Sequence, residues 1–283
     1  MRRINYLSGV LIGIVLLSCS SDENIIPDDE NIVPDPPISQ LIKVEQRSFT
    51  NGELNNTTIM NFINHKPVLW SSYDETNQLN YYQEWNYIDN EVLTSINTYL
   101  PDGHLEYEYT IFYDNENRFI QTIHKKNDII MTTRNFIYNT DNTITSITNS
   151  GGGDSTKTFE INNNGIVDKE IVNGNVVVSV QYDNFKPIKK SFGSISYDYT
   201  YYENGLMPFT FASYFGINPV NVVLFNNSLD FASNSLTNEL INEITNTNTT
   251  KKYIYTLNDN NFPSKFEYYY NGVKTLESDL FYE

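Results

Sequence analysis

The residues 106–113, EYEYTIFY, set a pattern that most of the chain follows. Tyr107, Tyr109, Ile111 and Tyr113 fall on one face of an extended segment, while Glu106, Glu108 and Thr110 fall on the other. In SISYDYTYY, Ile195, Tyr197, Tyr199 and Tyr201 line up in the same way. Period-two alternation marks strands with one buried and one wetted face. The aromatic and β-branched content suits such strands.

Between the strands a short phrase recurs. YDETNQL begins at Tyr73, YIDNEVL at Tyr87, YLPDGHL at Tyr99 and YDNENRF at Tyr113. Looser copies start at Tyr138, Ile161, Tyr182, Tyr201 and Leu257. Asn, Asp and Gly crowd the middle, and an apolar residue or proline stands six places after each anchor. Short polar side chains bond nearby backbone and tolerate positive φ, so the phrase reads as strand end, turn, strand start. These patterns predict an all-β fold. It is an antiparallel meander of many hairpins with a tyrosine- and phenylalanine-rich inner face, rolled by sheet twist into a strongly curved or barrel-like sheet.

One segment, about 209–248, lacks the phrase. Asn218 and Pro219 fit the N-cap and first position of a helix, with Val220, Val223 and Leu224 on one side of it. This short helical insertion reads either as a plug for one end of the rolled sheet or as a binding loop at its edge. LTNELINEIT then returns to strand.

The N-terminus follows a different logic. Arg2 and Arg3 precede an apolar run from Leu7 to Leu17, too short to span a bilayer as a helix but suited to a signal peptide. LLSC follows and resembles the lipobox of bacterial lipoproteins. That resemblance implies cleavage after residue 18 and acylation of Cys19, which is the one cysteine of the chain. The next residues, SSDE, are similar to the export signal that takes Bacteroidetes lipoproteins to the outer face of the outer membrane. Residence in the inner leaflet remains open. Residues 19–40 form an acidic, proline-rich tether or an irregular tail, and 41–283 a single domain.

The formal net charge is −17, and loss of residues 1–18 with their two arginines makes it −19. So acidic a chain repels phosphate backbones and anionic headgroups, so nucleic acid is not an expected partner. The expected partner is the membrane, through lipid on Cys19.

YTIFYDNENRF resembles the YD (RHS-type) repeat, and YTLNDNNFPSKFEYYYNGV resembles the last repeat of Bacteroidetes lipoproteins built from such units. The likeness covers roughly residues 70–283. Asn117 stands where the repeat usually has glycine. The resemblance implies an outer-membrane, cell-surface location and no particular activity. The chain is too short to enclose a cargo as long RHS proteins do.

Catalytic signatures are sparse. His65, His104 and His124 form no metal-ligand pair, and neither a metal nor a cofactor is expected. SGGGDS at 150–155 reads as a hairpin tip rather than a phosphate cradle. The Asp-rich turns DNEN and NDNN could hold calcium, but turn chemistry accounts for them. Glu106 with Glu108, and Asp168 with Glu170, are paired carboxylates of the kind glycosidases use, and both pairs are expected on the solvent face. Trp70, Trp85, Tyr81 and Tyr82 could form a stacking platform for a glycan or a surface protein. The leading expectation is therefore a surface-anchored, non-enzymatic binding module. A glycan- or peptidoglycan-active enzyme and a structural envelope component are the alternatives.

Overall fold

A computed structural model of the chain describes residues 40–64, 66–89, 92–183, 186–206, 219–226, 229 and 239–283. The leader, Cys19, most of the tether, His65 and Asn218 lie outside the described residues. The strands are β1 (Leu41–Thr50), β2 (Glu53–Ile63), β3 (Lys66–Asp74), β4 (Leu79–Ile88), β5 (Val92–Tyr99) and β6 (Leu105–Tyr113). Then come β7 (Phe119–Lys126), β8 (Ile129–Tyr138), β9 (Thr143–Ser150), β10 (Gly153–Ile161), β11 (Val167–Val172) and β12 (Asn175–Asp183). β13 (Lys186–Phe192) and β14 (Ile195–Leu206) precede α1 (Pro219–Asn226). The chain ends with β15 (Glu239–Thr245), β16 (Thr250–Leu257), β17 (Pro263–Tyr270) and β18 (Val273–Tyr282).

Each strand pairs antiparallel with the next, and β18 pairs with β1. The expected meander is thus a closed barrel of 18 strands. Gln40 and Glu283 exchange backbone hydrogen bonds beside that last pairing, so the barrel begins and ends at the same rim.

The recurring phrase explains the closure. At Tyr73, Tyr87, Tyr99, Tyr113, Tyr182 and Tyr201 the strand register shifts by a bulge, as it does at Ile161 and Leu257. A bulge bends a strand and raises its twist, and a bulge repeated strand after strand curls the sheet back upon itself. After the bulge, Asp114 Oδ1 accepts the backbone N–H groups of Glu116 and Arg118. Asp74, Asn162 and Asn258 do the same in their own turns. The residue three places later has positive φ, 58° at Asn117 and 75° at Gly165. Asparagine is tolerated there nearly as well as glycine, which is why Asn117 can replace it.

Four of the anchor tyrosines, and Tyr282 with them, have a second role. The Tyr87 hydroxyl donates to the Pro67 carbonyl, Tyr113 to Leu93, Tyr182 to Val167, Tyr201 to Pro187 and Tyr282 to Pro263. In each case an even-numbered strand is tied to the start of the strand before it, from the strand's last two residues except at Tyr201, which lies mid-strand in β14. Burial pushes all five phenols well above their ordinary value.

A barrel of this strand number is wider than wall side chains alone can fill. Part of the lumen is taken by α1. Val222, Val223 and Leu224 have no exposed surface, and Val220 is buried as well. Val220, Val223 and Leu224 are buried as expected of one face of this helix, and burial extends beyond that face to Val222. Asn221, on another side, is equally buried, because the helix is enclosed all round. Asn221 accepts from the Phe119 N–H and donates to the Asn117 carbonyl, matching the β6–β7 turn. Burying each of the apolar side chains stabilises the plug by about 1.5–3 kcal/mol.

The outer wall carries clusters of paired charges. Arg47 on β1 bonds Glu277 and Asp279 on β18, and Lys265 on β17 and Lys274 on β18 also hold Glu277. Lys125 pairs with Glu108, and Lys169 with Glu160.

Candidate functional site

A cavity of about 650 Å³ opens into the lumen above the plug. Its wall comes from the starts of β4 and β6, the ends of β5 and β7, and Trp70 of β3. Those strand ends share one rim, and Gln40 and Glu283 share the other. The floor is aromatic. Phe225 of α1 meets Tyr109 edge-on, with ring centroids 5.2 Å apart. Trp85 and Ile96 complete it, both buried.

Strand alternation decides which side chains reach the cavity. Tyr81, Gln83 and Trp85 of β4 share its inner face, as do Ile96 and Thr98 of β5 and Tyr107 and Tyr109 of β6. Gln83 Nε2 donates to Thr98 Oγ1 at 3.2 Å, a cross-strand bond that fixes both polar groups. Tyr107 stacks on His124 at 5.5 Å, with ring planes 20° apart. Lys126 donates to the Tyr107 hydroxyl at 2.9 Å and pairs with Glu106 at 3.2 Å, so the Glu106 charge at the cavity edge is balanced. Burial, aided by the neighbouring Arg134 charge, holds the His124 imidazole below its ordinary value. It is neutral at neutral pH and can both donate and accept.

The sequence-derived candidates divide on the two faces of β4. Trp70, Tyr81 and Trp85 line the cavity. Tyr82 faces the opposite way and stacks on Tyr99 at 5.0 Å, so it takes no part in a shared platform. Three positions separate it from Trp85, and an odd separation in a strand puts side chains on opposite faces. His124, Tyr107, Tyr109 and Phe225 were missed by sequence reasoning. Shared inner-face parity with Tyr109 was available for the β6 residue, but nothing local to the sequence brings Phe225 beneath them.

The carboxylates also differ from expectation. Glu170 is 4% exposed, not solvent-facing. It points into the lumen, where Lys157 pairs with it at 2.8 Å and the Leu229 N–H donates to it. It is a plug anchor. Asp168 is partly buried, and burial raises its carboxyl above the usual range. Neither belongs to the cavity wall. Glu106 is the one carboxylate there among the described residues, while its neighbour Glu108 is held outside by Lys125 and Thr110. His104 sits in a turn with its N–H on Asp102. Among the described residues no three His, Cys, Asp or Glu side chains converge as a metal site.

Fold and site together define a closed antiparallel barrel with an internal helix and an aromatic, ligand-sized cavity at one mouth. No family model and no curated protein matches the chain. Among solved structures it is similar to a porin-like protein from Bacteroides uniformis, at 11% identity over 86% of this chain and 98% of that one, with a TM-score of 0.28. It is also similar to TcdB2-TccC3, at 11% identity over 81% of this chain but 15% of that one, with a TM-score of 0.26. At these scores neither likeness bears on function, and the architecture rests on the strand pairing itself.

Proposed function

We propose that the chain is a non-enzymatic binding module of the bacterial envelope, which takes a small glycan into the mouth of its barrel. The carrying observation is the cavity. Its volume lies in the range of small-ligand sites, and it combines aromatic ring faces with a few fixed polar groups, Gln83, Thr98 and His124. Ring faces of this kind suit sugars, whose own faces are apolar and whose edges are polar. An acid–base pair for hydrolysis would need two carboxylates across the ligand, whereas the wall presents Glu106 already held by Lys126.

Attachment belongs to the same proposal. The lipobox-like LLSC supports cleavage after residue 18 and acylation of Cys19, with display on the outer membrane. The charged outer wall supports a barrel standing in water. In lipid, each Lys or Arg on a barrel's outer face near the midplane costs about 2–4 kcal/mol. Intact mass of the membrane-extracted protein should show two or three acyl chains, and Cys19→Ala should release the protein from membranes.

Trp70 and Trp85 are the two tryptophans of the chain, and both line the cavity. Intrinsic fluorescence therefore reports on it directly. Titration with mono- to tetrasaccharides should shift the emission saturably for at least one sugar class, and Trp85→Phe should weaken that binding. A complete panel that leaves both fluorescence and melting temperature unchanged overturns the glycan reading.

A further inference from the structure

Arg134 departs from the pairing that governs the other arginines among the described residues. Arg47 and Arg118 each hold two or more carboxylates. Arg134 lies on β8 opposite Thr122 of β7, whose side chain is buried in the lumen. The same alternation that turns Thr122 and Phe136 inwards turns Arg134 inwards. It stands behind two cavity-wall residues, facing the Tyr109 hydroxyl and the His124 ring. Among the described residues no carboxylate pairs with it, and its Nε is buried without a hydrogen-bond partner.

Arg134 is partly buried, and a guanidinium with a buried, unpartnered nitrogen is better accommodated when a counter-charge meets it. The chain has 35 acidic residues against 18 basic ones, so an internal partner was readily available. None is supplied at this point. The remaining charges near the cavity do not supply one either. Glu106 is engaged by Lys126, and His124 is neutral. One positive charge without a carboxylate partner among the described residues therefore stands behind the cavity wall at Tyr109 and His124.

We propose that the cavity receives a ring-shaped ligand bearing a carboxylate, with the ring against Trp85 and Tyr107 and the carboxylate directed at Arg134. This rests on the binding reading above and adds the charge of the ligand. Two sources share the chemistry, an acidic sugar of the uronic type and an aromatic carboxylate.

The test is a tryptophan-fluorescence titration of the mature chain with glucuronate, glucose and benzoate at low and moderate salt. Glucuronate should bind at least tenfold tighter than glucose, and the advantage should shrink as salt rises. Arg134→Gln should abolish the advantage and leave glucose binding unchanged, and Arg134→Lys should retain part of it. Arg134→Met, which removes an uncompensated charge, should melt no lower than the parent, whereas a purely structural arginine predicts a lower melting temperature. Benzoate binding without glucuronate binding would keep the charge assignment and replace the sugar. Equal affinity for glucuronate and glucose, or an advantage that survives Arg134→Gln, overturns this inference while leaving the glycan reading intact. Absence of binding by all three probes overturns it, and a negative wider sugar panel is what overturns the glycan reading.

Discussion

Replacing Glu277 by Gln should lower the stability of the barrel at neutral pH and make almost no difference near pH 2. Glu277 lies on the outer wall of β18 and joins three strands. Lys274 donates to it at 2.8 Å, Arg47 of β1 at 3.0 Å, and Lys265 of β17 lies at 3.3 Å. The bond from Lys274, followed by those from Arg47 and Lys265, outweighs the opposing effect of burial and holds the carboxyl at about 2 rather than 4.5. The native state therefore binds fewer protons than the unfolded chain between those two values. The stabilisation is complete above pH ~5 and is lost as pH falls toward ~2. At about 1.4 kcal/mol per pK unit the upper bound is about 3 kcal/mol. The side chain is 14% exposed, and partial solvation of its partners brings the expectation to about 1–3 kcal/mol. Arg47 keeps Glu45 and Asp279 in the variant, so the fold should survive. Urea unfolding of parent and variant at pH 7, 5, 4 and 3 measures the difference directly. A difference that stays constant from pH 7 to pH 3 would refute the electrostatic reading of the barrel seam.

The strand-end tyrosines allow a matched comparison. Tyr113→Phe removes the 2.6 Å bond to the Leu93 carbonyl and should cost about 1 kcal/mol. Tyr138→Phe removes a buried hydroxyl that has no partner and should be neutral or stabilising in the same denaturation assay. At the β6–β7 turn, Asn117→Gly should be tolerated, whereas Asn117→Ala, forced to a φ of 58°, should cost about 1 kcal/mol. Lys157→Met strands the Glu170 charge beside the plug and should destabilise by about 3–5 kcal/mol. Hydrogen exchange should show the loss concentrated around α1.

How far the sequence reveals this molecule depends on the range of the interaction. Strands and turns are legible because alternation and the Asp/Asn acceptor act within a few residues, as in 106–118. Closure is not, because the pairing of β1 with β18 is the sum of many small twists with no local mark at Leu41 or Tyr282. Glu170 reads as a surface acid because its partners, Lys157 and the Leu229 backbone, lie in another strand and in the plug. The cavity is partly legible: parity along β4 selects Tyr81 and Trp85 and rejects Tyr82. Phe225 joins the site through lumen packing, which no short stretch of sequence records.

The hydrogen-bonded meeting of Gln40 and Glu283 makes the barrel that runs between these two residues a ring in all but one covalent link. Joining those ends and reopening the chain at a two-residue hairpin, such as Asn173–Gly174, would leave every strand with both of its neighbours. Such rearranged chains should fold alike, and the position of the break could be moved around the circumference without disturbing the mouth.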